Sequence, residues 1–203
     1  MRKCAVVIIG ALLTLRSQPV RGEDRPQVLS IESAALLRVP ESLTGSRSFT
    51  VAKHPSKVEV VVFSDLPEKG PQTLWSSWGD GCLASDGLYY TSIGDHLGRD
   101  ATSYLYAYNA KTQELRRVVD VARDLALKPG QYGHGKIHSG IHEARDGWLY
   151  FSTYWGKHRE VADAFGSDYQ GSLLLRYLPK GERLESLGAI APKHGLPASF
   201  FDP

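Results

Sequence analysis

The stretches ASDGLYYTSIGDH (84–96) and ARDGWLYFSTYWG (144–156) decide how this chain is read. Each sets Asp-Gly, a pair that accepts the positive φ of a tight hairpin turn, directly before an apolar and aromatic run. A strand should precede each turn, near Cys82-Leu83-Ala84 in one case and over 141–144 in the other. The likeness extends outward on both sides. The first copy runs GCLASDGLYYTSIGDH (81–96), then SYLYAYNAKTQELRRVVDV (103–121). The second runs SGIHEARDGWLYFSTYWG (139–156), then GSLLLRYLPKGERLESLGAI (171–190). Asp86-Gly87 matches Asp146-Gly147 at a spacing of 60, with Leu88-Tyr89-Tyr90 set against Leu149-Tyr150-Phe151. Tyr108 matches Tyr177 and Leu115 matches Leu184 at a spacing of 69, so the second copy carries nine more residues between Gly156 and Gly171.

Each copy divides into four short strands. The third, LYAYN or LLRYL, turns through NAKTQ or PKGER into the fourth. Four-stranded units repeated at this scale predict an all-β fold, and specifically a β-propeller. Helical repeats are the rival architecture, but the alternation around Val119, Tyr150 and Phe151 argues against them. Only VARDLAL (121–127) has a helical pattern, expected as a short turn between blades. The blades are expected at about 81–121 and 137–190, with the start of a next blade at 192–203. RSFTVAK (47–53) and VEVVVFS (58–64) read as two further strands, from a partial blade or a ring-closing strand. On this reading 23–57 is an N-terminal extension and 58–203 a partial propeller. Natural propellers have about four to eight blades. The expectation is therefore an incomplete ring, an N-terminal fragment that needs further C-terminal blades to close.

Residues 1–22 read as a secretory signal peptide: Arg2 and Lys3, the apolar run AVVIIGALLTL (5–15), then RSQPVRG with Gly22 beside the expected cut. The apolar run is shorter than the roughly 20 residues that span a bilayer. The expected location is secreted or periplasmic, with no membrane association after the signal is removed. Loss of Arg2, Lys3, Arg16 and Arg21 leaves 20 basic against 22 acidic residues, a formal charge of −2 in place of +2. With no long Lys/Arg cluster, a nucleic-acid partner is not expected. Cys82 is then the one remaining cysteine, so no internal disulfide is available; it reads as a small buried hydrophobe. The sequence has no GxSxG, HExxH, CxxC, P-loop or GxGxxG pattern, which sets aside the reactions those motifs support.

The stretches LWSSWGDGC (74–82), IGDHLG (93–98), GKIHSGI (135–141), DGWLYFST (146–153) and PKHG (192–195) resemble those of uncharacterised secreted bacterial β-propeller proteins. More loosely, the blades are similar to those of streptogramin-lyase, gluconolactonase-like and oligogalacturonate-lyase propellers. For the lyases the resemblance implies a metal or a histidine at the central channel. In oligogalacturonate lyases, several histidines and a glutamine hold a divalent metal and another histidine is the base.

Candidate residues follow from the repeat. HGKIHSGIH (134–142) spaces His134, His138 and His142 four apart, but Gly133, Gly135 and Gly140 oppose a helix that would put them on one face. In a strand, His138 and His142 would stand about 13 Å apart, too far to share a metal. His96 ends the second strand of the first copy, His138 precedes the first strand of the second, and His194 is set in the corresponding place before the next. Imidazoles from successive blades are expected to converge, with His96, His138 and His194 as ligands of a divalent metal, or His138 and His194 as catalytic bases. Asp95 is expected to orient His96 or to cap a turn, and Asp80 to serve a turn or the channel. Lys136 reads as a solvated loop lysine or as the neutraliser of a substrate carboxylate, and Tyr154 and Trp155 as a platform for a sugar ring or as packing between blades. Trp75, Trp78, Trp148 and Tyr169 read as platform or as packing between blades. The insert 157–170 is expected to shape a binding mouth. Two functions stand: an exported lyase or hydrolase acting on a carbohydrate or lactone, and a non-catalytic propeller that binds a glycan or protein. A carbohydrate or other small molecule is the expected ligand.

Overall fold

The structure, a computed structural model, describes residues 28–45, 50–156 and 168–200. Residues 1–22, where a signal peptide is expected, and most of the insert, 157–167, lie outside the described residues. The chain divides into two compact units, with the boundary between Leu66 and Pro67.

In the first unit, β1 (Val28–Glu32) pairs antiparallel with β2 (Lys57–Val61), Val28 opposite Val61 and Glu32 opposite Lys57. Two short 3-10 turns, Ala34–Leu37 and Glu41–Leu43, lie between them in sequence; Ser33 caps the first by accepting the Ala35 N–H. The strand expected at RSFTVAK is not formed over 50–53. The partner of β2 is VLSIE instead, whose weak alternation conceals it in the sequence.

The second unit holds two antiparallel sheets. The first has the order β3 (Cys82–Leu83), β4 (Tyr89–Gly94), β5 (Ser103–Asn109), β6 (Glu114–Asp120). Next comes α1 (Val121–Asp124), a single turn whose N-cap Asp120 accepts the Arg123 N–H. The second sheet places β7 (Lys136–Ile137) and β8 (His142–Glu143) side by side along β9 (Leu149–Tyr154), followed by β10 (Leu173–Leu178) and β11 (Arg183–Ala189).

The two sheets repeat one another in detail. Cys82 faces Tyr90 as His142 faces Tyr150, and the isolated bridge Ser76–Gly94 corresponds to the β7 pair Lys136–Tyr154, all at a spacing of 60. Both sheets slip register at the same place, between Leu105 and Tyr106 and between Leu174 and Leu175, at a spacing of 69. The 60-residue register places Tyr89 with Leu149 and Tyr90 with Tyr150. This corrects the sequence match of Leu88-Tyr89-Tyr90 to Leu149-Tyr150-Phe151 by one position.

The hairpin chemistry explains the repeat. Asp86 and Asp146 each accept the N–H two residues on, from Leu88 and Trp148, while Gly87 and Gly147 adopt φ of 83° and 80°. The turns before β6 and β11 each use a non-glycine residue at positive φ, Gln113 and Glu182. Between the sheets lies one apolar core. Tyr90, Leu105, Val119 and Val121 from the first meet Ile137, Leu149, Phe151, Leu175 and Tyr177 from the second, and Cys82 packs against it. The backbones approach too closely for side chains: a Cβ on Gly94 would lie 2.0 Å from the Gly135 carbonyl oxygen. Among the described residues no helix is long and apolar enough to cross a membrane.

Candidate functional site

The first strand of the second sheet is broken in two, and this break makes the site. Between β7 and β8 the chain leaves β9, and His138 lies in the gap. His138 stands ahead of β8, which falls in the strand expected over 141–144, and it follows β7, a strand the sequence did not show.

Where β4 ends and β7 begins, Trp78, His96, Lys136, His138 and Tyr154 come together. Trp78 stands 5.5 Å from His138 and 5.7 Å from His96 between ring centroids, and His138 lies 5.0 Å from Tyr154. Lys136 Nζ sits 5.0 Å from the Trp78 ring centre and 5.6 Å from that of Tyr154. Lys136 is only 4% exposed, whereas Trp78 is 54% exposed and forms the open wall. Among the described residues no carboxylate pairs with the Lys136 ammonium. Cation–π contact is worth about 0.5–2 kcal/mol, less than the several kcal/mol that burial of an ion costs. Burial accordingly lowers the Lys136 pKa.

Each imidazole has a defined role. Trp78 Nε1–H donates to Ser76 Oγ at 3.0 Å, and Ser76 Oγ lies 2.7 Å from His96 Nε2. A serine hydroxyl that accepts from the indole can donate its own proton to a neutral His96. Burial first, then the charges of Lys136 and His138, lower the His96 pKa to about 4. His96 holds a φ of 58°, unusual for a residue with a Cβ, and its N–H donates to the Gly135 carbonyl. Asp95 is not the partner of the His96 ring. Its carboxylate accepts from Lys69 Nζ at 2.7 Å, Thr102 N–H at 2.9 Å and Leu97 N–H at 3.0 Å, tying down the loop that carries His96. Burial still raises the Asp95 pKa above its ordinary value.

In His138, Nδ1 lies 2.9 Å from the Pro197 carbonyl oxygen. A carbonyl can only accept, so Nδ1 carries a proton, and in the neutral ring Nε2 keeps a lone pair. By the same logic His142 Nε2–H donates to Ser199 O at 3.1 Å.

His194 does not join His96 and His138 in the ring expected of them. Ser92 Oγ donates to Ile137 O and its counterpart Ser152 Oγ donates to Leu196 O, which gives Leu196 the place of Ile137. Pro197, rather than His194, therefore follows at the level of His138. The exposed His194 donates from Nδ1 to Pro192 O at 2.6 Å. Among the described residues no group of three metal-ligating side chains forms, so His96, His138 and His194 are not brought together as a set of three.

His134 is a structural histidine. It is 2% exposed, its Nδ1 lies 2.9 Å from Thr153 Oγ1, and its ring packs on Tyr169. Thr153 Oγ1 also accepts the Leu173 N–H, and burial lowers the His134 pKa to about 4. Trp155 lies tilted against Tyr154 at 4.4 Å between ring centroids and packs with Tyr132 and Tyr169, bracing the Tyr154 wall. Trp75 stacks on Tyr104, and Trp148 lies beneath Arg176 and Arg183, so both serve packing. Asp80 contributes a backbone carbonyl to the Ile141 N–H. Sequence reasoning missed Ser76. Its signal was the repeat, since Ser76 is the counterpart of Lys136.

The fold and site thus define an all-β protein with duplicated four-stranded antiparallel sheets and a cationic, aromatic-walled cluster at one end of their junction. No known family model matches the chain, and no curated protein matches it.

Proposed function

We propose that the two sheets are blades of an exported β-propeller that binds a carbohydrate or other small molecule beside the Lys136 cluster. Further blades would close its ring. The register-for-register repeat supports the propeller reading, as does the single core shared between the two sheets. The observation that carries the binding reading is Lys136, buried against the Trp78 and Tyr154 rings with no carboxylate partner among the described residues. Stacking on exposed aromatic faces is a common way to hold an apolar sugar face while polar groups fix orientation.

The test is a titration of the full chain with a panel of mono- and oligosaccharides, followed by tryptophan fluorescence and calorimetry. Trp78→Ala and Tyr154→Ala are each expected to weaken binding by about tenfold or more. A ligand whose affinity is unchanged in both variants would place the binding surface elsewhere.

A catalytic reading, lyase or hydrolase chemistry on a carbohydrate or lactone, is favoured by one observation. The Pro197 carbonyl accepts from His138 Nδ1, which leaves Nε2 of the neutral ring as a proton acceptor within the aromatic cluster. In that reading His138 takes up a proton from the substrate, and His138→Gln abolishes turnover while leaving binding in place.

A further inference from the structure

We infer that the first sheet carries a second binding site, for a free α-amino acid, in a cavity beside α1. The repeat reveals it. The step from Asp120, at the end of β6, to Ile137 spans 17 positions, whereas the equivalent step from Ala189 to Leu196 spans 7. Passage from one sheet to the next therefore needs only the short link. Part of the longer one, around Leu127 and Lys128, walls a cavity of about 340 Å³, with the buried Thr102 and Tyr104 on its inner side. That volume is at the lower end of the roughly 300–1,000 Å³ of small-molecule sites. At a spacing of 69, Gly171, Leu173 and Ala189 stand where the first sheet has Thr102, Tyr104 and Asp120. The polar lining is thus no requirement of the shared fold. None of the lining residues belongs to the Lys136 cluster, so this site is independent of the reading above.

The lining carries both signs of charge. Lys69 is committed to the Asp95 carboxylate, but the Lys128 ammonium has no carboxylate partner among the described residues. Arg123 donates from Nε to Asp124, which leaves its terminal nitrogens for another acceptor. Opposite in sign, Asp120 accepts the Thr102 hydroxyl at 2.9 Å and the Arg123 N–H at 3.3 Å, both at Oδ1, leaving Oδ2 for another donor. Asp100 adds a second carboxylate, whose Oδ1 accepts the Gly130 N–H. A dianion would meet these two carboxylates, and a simple cation would meet Arg123 and Lys128. A carboxylate and an ammonium on one short stem satisfy both signs at once. The α1 turn itself offers no anion site, because it has only four residues and the Asp120 side chain already caps it. A sugar is disfavoured too: the Tyr104 ring already stacks on Trp75 and carries the Arg117 guanidinium.

The experiment is calorimetry on the full chain at pH 7 with the common L-amino acids, then with the N-acetyl and amide forms of the tightest binder. At least one free amino acid is expected to bind with a Kd below about 1 mM, and about tenfold or more tightly than either blocked form. Asp120→Asn keeps the helix cap, since asparagine caps as well as aspartate, but removes the charge. It should weaken the free and amide forms by about tenfold and leave the N-acetyl form unchanged. Arg123→Gln with Lys128→Gln, both at exposed positions, should do the reverse, weakening the free and N-acetyl forms and sparing the amide. Trp78→Ala should change none of these affinities. Absence of binding by any free amino acid, equal affinity for the blocked forms, or indifference to Asp120→Asn overturns the inference. Binding lost in Trp78→Ala overturns it as well, by moving the ligand to the Lys136 cluster.

Discussion

Acid should unfold the second unit through its buried histidines, and His134 allows the effect to be measured alone. His134 is 2% exposed, hydrogen-bonds the Thr153 hydroxyl through Nδ1 and faces the Tyr169 ring, with no charged partner among the described residues. Its folded pKa is lowered from 6.5 to about 4 by burial. Above pH 6.5 both folded and unfolded chains leave it neutral, and it adds no pH dependence. Between the two values the unfolded chain binds a proton that the folded chain refuses, so stability falls as pH falls. The slope is about 1.4 kcal/mol per pH unit, or roughly 3 kcal/mol across the window. Below pH 4 the loss levels off. His96, also lowered to about 4, acts in the same sense, whereas Asp95, raised by burial, takes up its proton more readily when folded and opposes them. The total slope is therefore a mixture, and the difference between wild type and His134→Asn isolates one residue. Asparagine keeps an acceptor for Thr153 but does not titrate. At pH 7.5 the variant should be less stable by about 1–3 kcal/mol for the lost packing. That gap should close as pH falls from 6.5 to 4, and it should reverse if the initial deficit is at the lower end. Urea titrations followed by tryptophan emission report this unit, because Trp75, Trp78, Trp148 and Trp155 all follow Pro67. A stability gap that stays constant from pH 7.5 to 4 would refute the reasoning.

Two further perturbations probe the junction of the sheets. Glu143 accepts both the Ser85 N–H at 2.7 Å and the Ser85 hydroxyl at 2.5 Å, latching β8 to the hairpin of the preceding sheet. Glu143→Ala should cost about 1–2 kcal/mol, less than a buried pair because the contact is solvent-exposed, and Ser85→Ala in the same background should add little. Gly94→Ala would place a methyl 2.0 Å from the Gly135 carbonyl oxygen, a clash that only backbone movement relieves. It should destabilise by at least about 1–3 kcal/mol, read from the shift in urea midpoint; a midpoint equal to wild type would show that the sheets pack less closely.

The parts of the fold that were legible are those governed by neighbouring residues. Asp-Gly before an aromatic run is a local signal, because the Asp side chain and the glycine φ build the turn without help from elsewhere. The pairing of β1 with β2 was not legible, since VLSIE has no distinctive pattern and its partner lies beyond two 3-10 turns. Lys136, His138 and Tyr154 were marked as site residues from their type and place in the repeat, and the structure brings them together. The metal ring of His96, His138 and His194 was not formed, because equating His194 with His138 required a loop length that the Ser92 and Ser152 contacts contradict.

From residue order alone came the all-β class, the two four-stranded repeats and their turns, because these follow from local propensity and from periodicity along the chain. Only the tertiary structure decided what each histidine does. His134 is neutral and buried, His96 is held by Ser76, and His138 has its tautomer set by Pro197, 59 residues away. Protonation and tautomer depend on desolvation and on which acceptor arrives from distant strands, and neither is written in the residues beside them.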